Sequence, residues 1–434
     1  MEAGHGSTPT DLVWYPDKRL LVYGDDSMVT DVGSIVAGNA DSLEKADAYK
    51  AAKKTFESGS DVAFFWDTHD LDDVHDADAK KMIDGWLHDR DPMTGAIKLV
   101  KAGIMMDAHV SLTGPSVPSE DLIQPAKITY THRLPADTVA YMAMSTKTKL
   151  KGSAVRATLV RYVSEGDKHG AKELDDGIDE INKAMGFTFE DFVDMSGDET
   201  AMGIMLDPAF KLDTTNGIAD ELPNIGMVWA IAVKDDAKAR MILGKIRAML
   251  EDPSMAGKAK LTPLGTDGWE VDPTTSAAFP LPNLTVKYDG KQIIAVVASP
   301  TMTARTFAAL QSGTNTLATN PAHELALGAM PKDAHYYLWM DTGRITSVLM
   351  DGATHVKRHA VQSSLPLDAV RLTGPDRVTS AISFKMTHKT SGGWELDFDS
   401  LNLPALGLFS IVKDLDLDSA VPSGGLFEGG AAGK

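Results

Sequence analysis

The chain contains no cysteine in 434 residues. That excludes thiol nucleophiles, disulfide staples and thiolate metal sites together. It also lacks any apolar run of the roughly 18 residues a membrane-spanning helix needs. Positive charge is scarce: 42 Lys and Arg stand against 61 Asp and Glu, a formal charge of −19. Nucleic acid is disfavoured as a partner, because its binding rests on neutralising phosphates with basic side chains. An anionic membrane surface is disfavoured for the same reason. The acidic excess reads first as a solvated, self-repelling surface. Residues 1–9 are small and polar rather than a charged start with an apolar stretch. They are expected to be the ragged edge of a mature chain, with no leader segment in view.

Signatures of chemistry are missing too. No Gly-x-Ser-x-Gly nucleophile turn occurs. His355 and His359 are four apart, with His388 beyond them. No Glu follows His355 as a zinc-protease helix requires. Asp414-Leu415-Asp416-Leu417-Asp418-Ser419 opens like a calcium loop. Yet Ser419 replaces the sixth-position Gly, and Gly425 stands where the bidentate Glu belongs. The terminal Gly429-Gly430-Ala431-Ala432-Gly433-Lys434 lacks the Ser or Thr of a phosphate loop. No catalytic, cofactor-binding or metal-ligating residue is assigned, and no cofactor is implied.

What the chain does contain is repetition. Met330-Pro331-Lys332-Asp333-Ala334-His335-Tyr336-Tyr337-Leu338-Trp339-Met340-Asp341-Thr342 aligns without a gap on Leu134 through Thr146, which begins Leu134-Pro135-Ala136-Asp137-Thr138. Ser60 through Thr68 matches after a two-residue deletion. Each copy is a turn that launches an apolar, aromatic-rich strand.

Around these launches the pattern alternates. Residues 11–23 read as a hairpin about Tyr15-Pro16-Asp17-Lys18. Helices are expected over 27–36, 41–55, 77–88, 152–162, 172–185, 187–195, 235–250, 302–310 and 322–327. In the 235–250 segment Ala237, Met241, Ile242, Ile246, Met249 and Leu250 share one side. Strands are expected over 201–206, 226–233, 269–271, 284–288 and 292–298, the last two joined by Asp289-Gly290. Ile128 and Tyr130 alternate, and so do Ile382, Phe384 and Met386, then Trp394, Leu396 and Phe398.

The order of apolar strand, helix, launch, Leu-Thr-Gly-Pro and alternating strand runs through 11–133 and again through 284–400, which predicts an internal duplication. The expected fold is α+β: two related units, each a mainly antiparallel sheet with helices on one face. Residues 1–133 form a partial first unit, 134–420 a complete second one, and 421–434 a flexible tail.

The launch at Leu134, the acidic turn Met195-Ser196-Gly197-Asp198-Glu199 and the stretch Gly226-Met227-Val228-Trp229-Ala230-Ile231-Ala232-Val233-Lys234-Asp235-Asp236-Ala237-Lys238-Ala239-Arg240 resemble a bacterial family of exported, lipoprotein-like proteins without an assigned activity. The likeness spans residues 134–345. It implies a periplasmic or extracellular place in the cell envelope and carries no catalytic residues.

Two clusters invite a site. Between Asp67 and Asp78, His69, Asp73 and His75 could hold a divalent ion. The duplicate stretch Asp341–Ser347 has no such ligands, and a helix start wants carboxylates anyway. Paired methionines at Met105 and Met106, Met142 and Met144, and Met202 and Met205 could line an adaptable apolar pocket, or simply fill the core. The leading expectation is a non-enzymatic envelope protein that binds a protein or another envelope component. The alternative is a carrier or chaperone for a lipid or other apolar ligand. A metal-dependent hydrolase using the His69–His75 cluster comes third.

Overall fold

In a computed structural model, the structure describes residues 10–15, 20–25, 30, 33–39, 62–66, 93–112, 122–129, 134–166, 168–208, 210, 224–253, 259–265, 267–273, 283–345, 348, 379–388 and 394–402. The chain opens with an antiparallel hairpin of β1 (Thr10–Tyr15) and β2 (Leu20–Asp25), as its turn predicts. The first launch is β3 (Val62–Trp66), followed by β4 (Met93–Val100) and β5 (Gly103–Leu112). After the short β6 (Ala126–Lys127) comes the second launch, β7 (Thr138–Ser145). Three helices follow: α1 (Gly152–Gly166), α2 (Lys168–Met185) and α3 (Phe189–Met195). Next are β8 (Ser196–Leu206), β9 (Ile225–Val233) and α4 (Asp236–Leu250). Strands β10 (Ala259–Pro263), β11 (Gly268–Pro273), β12 (Asn283–Tyr288) and β13 (Gln292–Ala298) lead into α5 (Pro300–Ser312). Then come α6 (Pro321–Ala329), β14 (Asp333–Ala334) and the third launch, β15 (Tyr336–Met340). The described chain closes with β16 (Ser380–His388) and β17 (Trp394–Leu401).

The fold is α+β, and one continuous sheet dominates it. Thirteen strands lie in the order β10-β11-β12-β13-β9-β8-β7-β15-β16-β17-β5-β4-β3, each pairing antiparallel. Separate pairs are β1–β2 and β14–β6. Each launch strand is followed in the sheet by the next two strands of the chain, giving the meanders β3-β4-β5, β7-β8-β9 and β15-β16-β17. The second and third launches are neighbours. Leu338 pairs with Met142, Tyr337 with Ala143 and Trp339 with Tyr141.

Helix ends follow the local chemistry. Thr188 and Asp191 form a reciprocal capping box at α3. Asp235 caps α4 by accepting from the Lys238 amide. Ser299 and Asn320 cap α5 and α6, each with Pro at the first turn, and Gly313 ends α5 in the left-handed region at φ 64°.

Two cores lie on opposite faces of the sheet. Tyr141, Val228, Val296, Tyr337, Trp339 and Leu401 pack under α5 and α6. The other core forms at the β9–β11 end, where Met195, Ile242 and Leu243 of the helices cover Trp269, Val271, Val286 and Ile293.

Some expectations shift. Helices begin earlier or run longer, as α1 and α2 do. Strand β8 starts five residues before the expected 201, because the Gly197-Asp198-Glu199 turn is absorbed as an irregularity between Ser196 and Thr200. Ile128 lies beyond a two-residue strand rather than in a long alternating one. The apolar run 97–106 conceals a hairpin, with Lys101 and Ala102 as its turn. Of the two Leu-Thr-Gly-Pro landmarks only Leu112 is described, at the end of β5; residues 113–115 and 372–375 lie outside the described residues. The helices expected over 41–55 and 77–88 and the tail from 421 lie outside the described residues.

Candidate functional site

The pleat sends alternate residues of each strand to opposite faces, and directly paired residues share a face. Following the register links Ile97, Met106, Ser400, Ile382, Leu338, Met142, Met202, Trp229 and Ala295 in one line across nine strands. The next line on this face runs Thr200, Met144, Tyr336, Phe384, Phe398 and Ala108. On the other side of it lie Met227, Ile204, Ala140 and Met340. Farther along, Met93, Val110, Met386 and Leu396 cluster.

This face is opposite the one α5 and α6 cover; α4 packs on its β9–β11 end, and Ser400, Met340 and Ala108 are buried at the other. Met144 is 39% exposed and Ile204 37%. Met142, Met202, Met227, Trp229 and Leu338 are half-buried. The paired methionines therefore divide. Met142, Met144, Met202 and Met106 share the open face, whereas Met205 is fully buried in the core on the other side and Met105 packs against that same core. Sequence pairs alone could not separate them, because the division depends on strand parity.

Behind this face the two launches are locked by a buried aromatic group. The Tyr141 hydroxyl lies 3.0 Å from His323 Nε2. His323 meets Trp339 edge-on, with ring centroids 5.1 Å apart, and Tyr141 also stacks obliquely near Tyr337. Burial pushes the Tyr141 and Tyr337 hydroxyls up from their ordinary values, so both stay neutral.

Charged groups brace the periphery. Arg305 bridges Asp137 and Asp207 at 3.0 and 3.1 Å, and burial still raises the Asp137 carboxyl against that attraction. Lys238 holds Asp191 and Asp194 at 3.0 and 2.9 Å, and its hydrogen bonds lower both carboxyls. Arg156 ties α1 to Asp175 and Asp179 of α2 and to Glu190 of α3.

The clefts among the described residues include two of interest. One, of about 370 Å³, lies between α5 and the β11–β12 end, and Lys287 sits 4.1 Å over the Phe307 ring beside it. The other, of about 300 Å³, is closed by the 122–129 segment over the ends of β7, β8 and β13. Glu199 forms its base, 4% exposed. Its carboxylate accepts from the Thr129 amide at 3.0 Å and from the Thr129 hydroxyl at 2.6 Å. His335 braces the same segment, with Nε2 3.2 Å from the Ile123 carbonyl and Nδ1 accepting from the Met386 amide.

The histidine candidates are not brought together. His69, His75, Asp73, His355 and His359 lie outside the described residues, as do 414–419 and 429–434. His388 ends β16. Among the described residues no group of three metal-ligating side chains converges, and no helix is long and apolar enough to cross a membrane. No protein-family model, curated protein or solved structure matches this chain.

Proposed function

We propose that this chain is a non-enzymatic binding protein of the cell envelope, whose open methionine-bearing sheet face receives the apolar side of a basic amphipathic segment of a protein partner. One observation carries the reading: apolar side chains from β9, β8, β7, β15 and β16 form contiguous lines on the face opposite α5 and α6, and away from α4 Met144 and Ile204 stand exposed within it. Contiguous apolar patches of this kind mark interaction sites. Methionine suits the role, because an unbranched, polarisable side chain repacks against differently shaped partners. The net charge of −19 favours a basic partner, whose apolar face would dock while its cations meet the acidic surface. The envelope location rests on the resemblance of residues 134–345 to exported proteins.

A second reading is a carrier of a lipid or other apolar ligand, favoured by the half-buried Trp229 among Met202 and Met227. Native mass spectrometry after gentle extraction separates the two. The first reading expects the bare protein mass and saturable binding of a synthetic Leu/Lys amphipathic peptide, abolished in Met144→Glu/Ile204→Glu. A lipid-sized adduct with no peptide binding overturns it in favour of the carrier.

The duplicated architecture belongs to the same proposal. Three launch segments, each opening an antiparallel meander, are what copying one strand-and-helix module would leave. The antiparallel pairing of β7 with β15 keeps counterpart residues of the two copies on the same face, as a local two-fold arrangement requires.

A further inference from the structure

We propose that the cleft over Glu199 is a binding site for a phosphate-bearing group, distinct from the methionine face and independent of it. Lys127, Lys147 and Lys291 converge on this cleft from three separate parts of the chain: β6, the segment after β7, and the turn between β12 and β13. None of the three makes an ion pair among the described residues. Several other bases do hold carboxylates, among them Lys98, Arg156, Lys238, Arg240, Arg247, Arg305 and Lys385. Asp333 pairs with Lys127 across the β14–β6 ladder, but its carboxylate is taken by Lys385 at 2.9 Å.

Backbone bonds fix where two of the lysines emerge. The Lys147 carbonyl accepts from the Gln124 amide, and the Lys291 carbonyl from the Val233 amide, both at 2.8 Å. Lysines that line one cleft from three parts of the chain favour an anion between them. Glu199, whose buried carboxylate accepts from the Thr129 amide and hydroxyl, places one negative charge at the base of the cleft. With Asp198 exposed on the rim, the lining carries three positive charges and two negative, a net +1. A cleft of about 300 Å³ suits a small group such as a phosphate or phosphomonoester. Lysine ammonium groups hold such an anion as point charges.

The test uses the full chain and three probes: inorganic phosphate, glycerol 3-phosphate, and phosphatidylglycerol vesicles. Titration calorimetry should show saturable binding of at least one probe. Lys127→Gln/Lys147→Gln/Lys291→Gln should weaken it roughly tenfold or more, since three partly exposed charge contacts are lost. Asp198→Asn should tighten it, which a merely stabilising surface change would not do. Binding of the soluble phosphates identifies a free ligand, and binding of vesicles alone identifies a lipid headgroup. The proposal is overturned if none of the probes binds, or if the triple variant, still folded by circular dichroism, binds like the parent.

Discussion

Leu338 lies directly across from Met142 in the β15–β7 ladder, and each is the other's counterpart in the gapless alignment of the two launch segments. Its neighbours follow suit: Tyr337 and Tyr141, also counterparts, both enter the core under α5 and α6. Two segments of similar sequence thus lie side by side in the sheet, with aligned residues on the same faces.

The polar contact inside that core is the first place to probe. Tyr141→Phe removes the hydroxyl that meets His323 Nε2 in a fully buried setting. Losing one partner of a buried hydrogen bond should cost about 1–3 kcal/mol. Urea melts of parent and variant should show that loss as a lower midpoint with an unchanged slope.

The two classes of methionine should differ in what they contribute to stability. Met205→Ala, in the closed core, should cost about 2–5 kcal/mol. Met144→Ser on the open face should change stability by no more than about 0.5 kcal/mol. Thermal melts of both would show whether the open face serves the fold or is available for binding.

Glu199 is expected to hold the 122–129 segment down. Glu199→Ala leaves the Thr129 amide and hydroxyl without their acceptor. Amide exchange at Thr129 should accelerate strongly, while exchange in the centre of β7 stays near that of the parent.

Lys238 should set part of the acid response. Its hydrogen bonds lower the Asp191 and Asp194 carboxyls below their ordinary 3.8. Folded values below unfolded ones mean the folded state binds fewer protons, so this stabilisation is present above the unfolded value and is lost as pH falls through the folded ones. All three side chains are about 30% exposed, so the effect is modest, about 1 kcal/mol. Lys238→Met should lose that amount at pH 7, and its deficit should vanish at strongly acidic pH. A deficit that persists in acid would mean Lys238 acts through packing instead.

Much of this architecture can be read from the chain. Ser60-Asp61 and the Pro-x-Asp turns at Pro135 and Pro331 announce the launch strands, and Asp289-Gly290 announces the β12–β13 hairpin, where Gly290 takes φ 87°. Ser299-Pro300 and Asn320-Pro321 mark where α5 and α6 begin. Local chemistry does not reveal that all three launch strands belong to one sheet, because strand order is set by long-range pairing such as Leu401 with Met105. Nor does it reveal the open face. Met142 and Met144 look like Met202 and Met205 in sequence, and only their spacing of two against three residues, once the strands are paired, sends Met205 alone into the core. The lysine cleft is invisible for a similar reason: Lys127, Lys147 and Lys291 span 164 positions, and only the fold gathers them.

The most direct test of the binding account is a methyl NMR titration of the methionine-labelled full chain with the Leu/Lys amphipathic peptide. The methyl signals of Met142, Met144, Met202 and Met227 should shift together and saturate, while those of the buried Met195, Met205 and Met302 stay in place. Signals on the open face that do not move at saturating peptide, or shifts spread equally over the buried methionines, would contradict it.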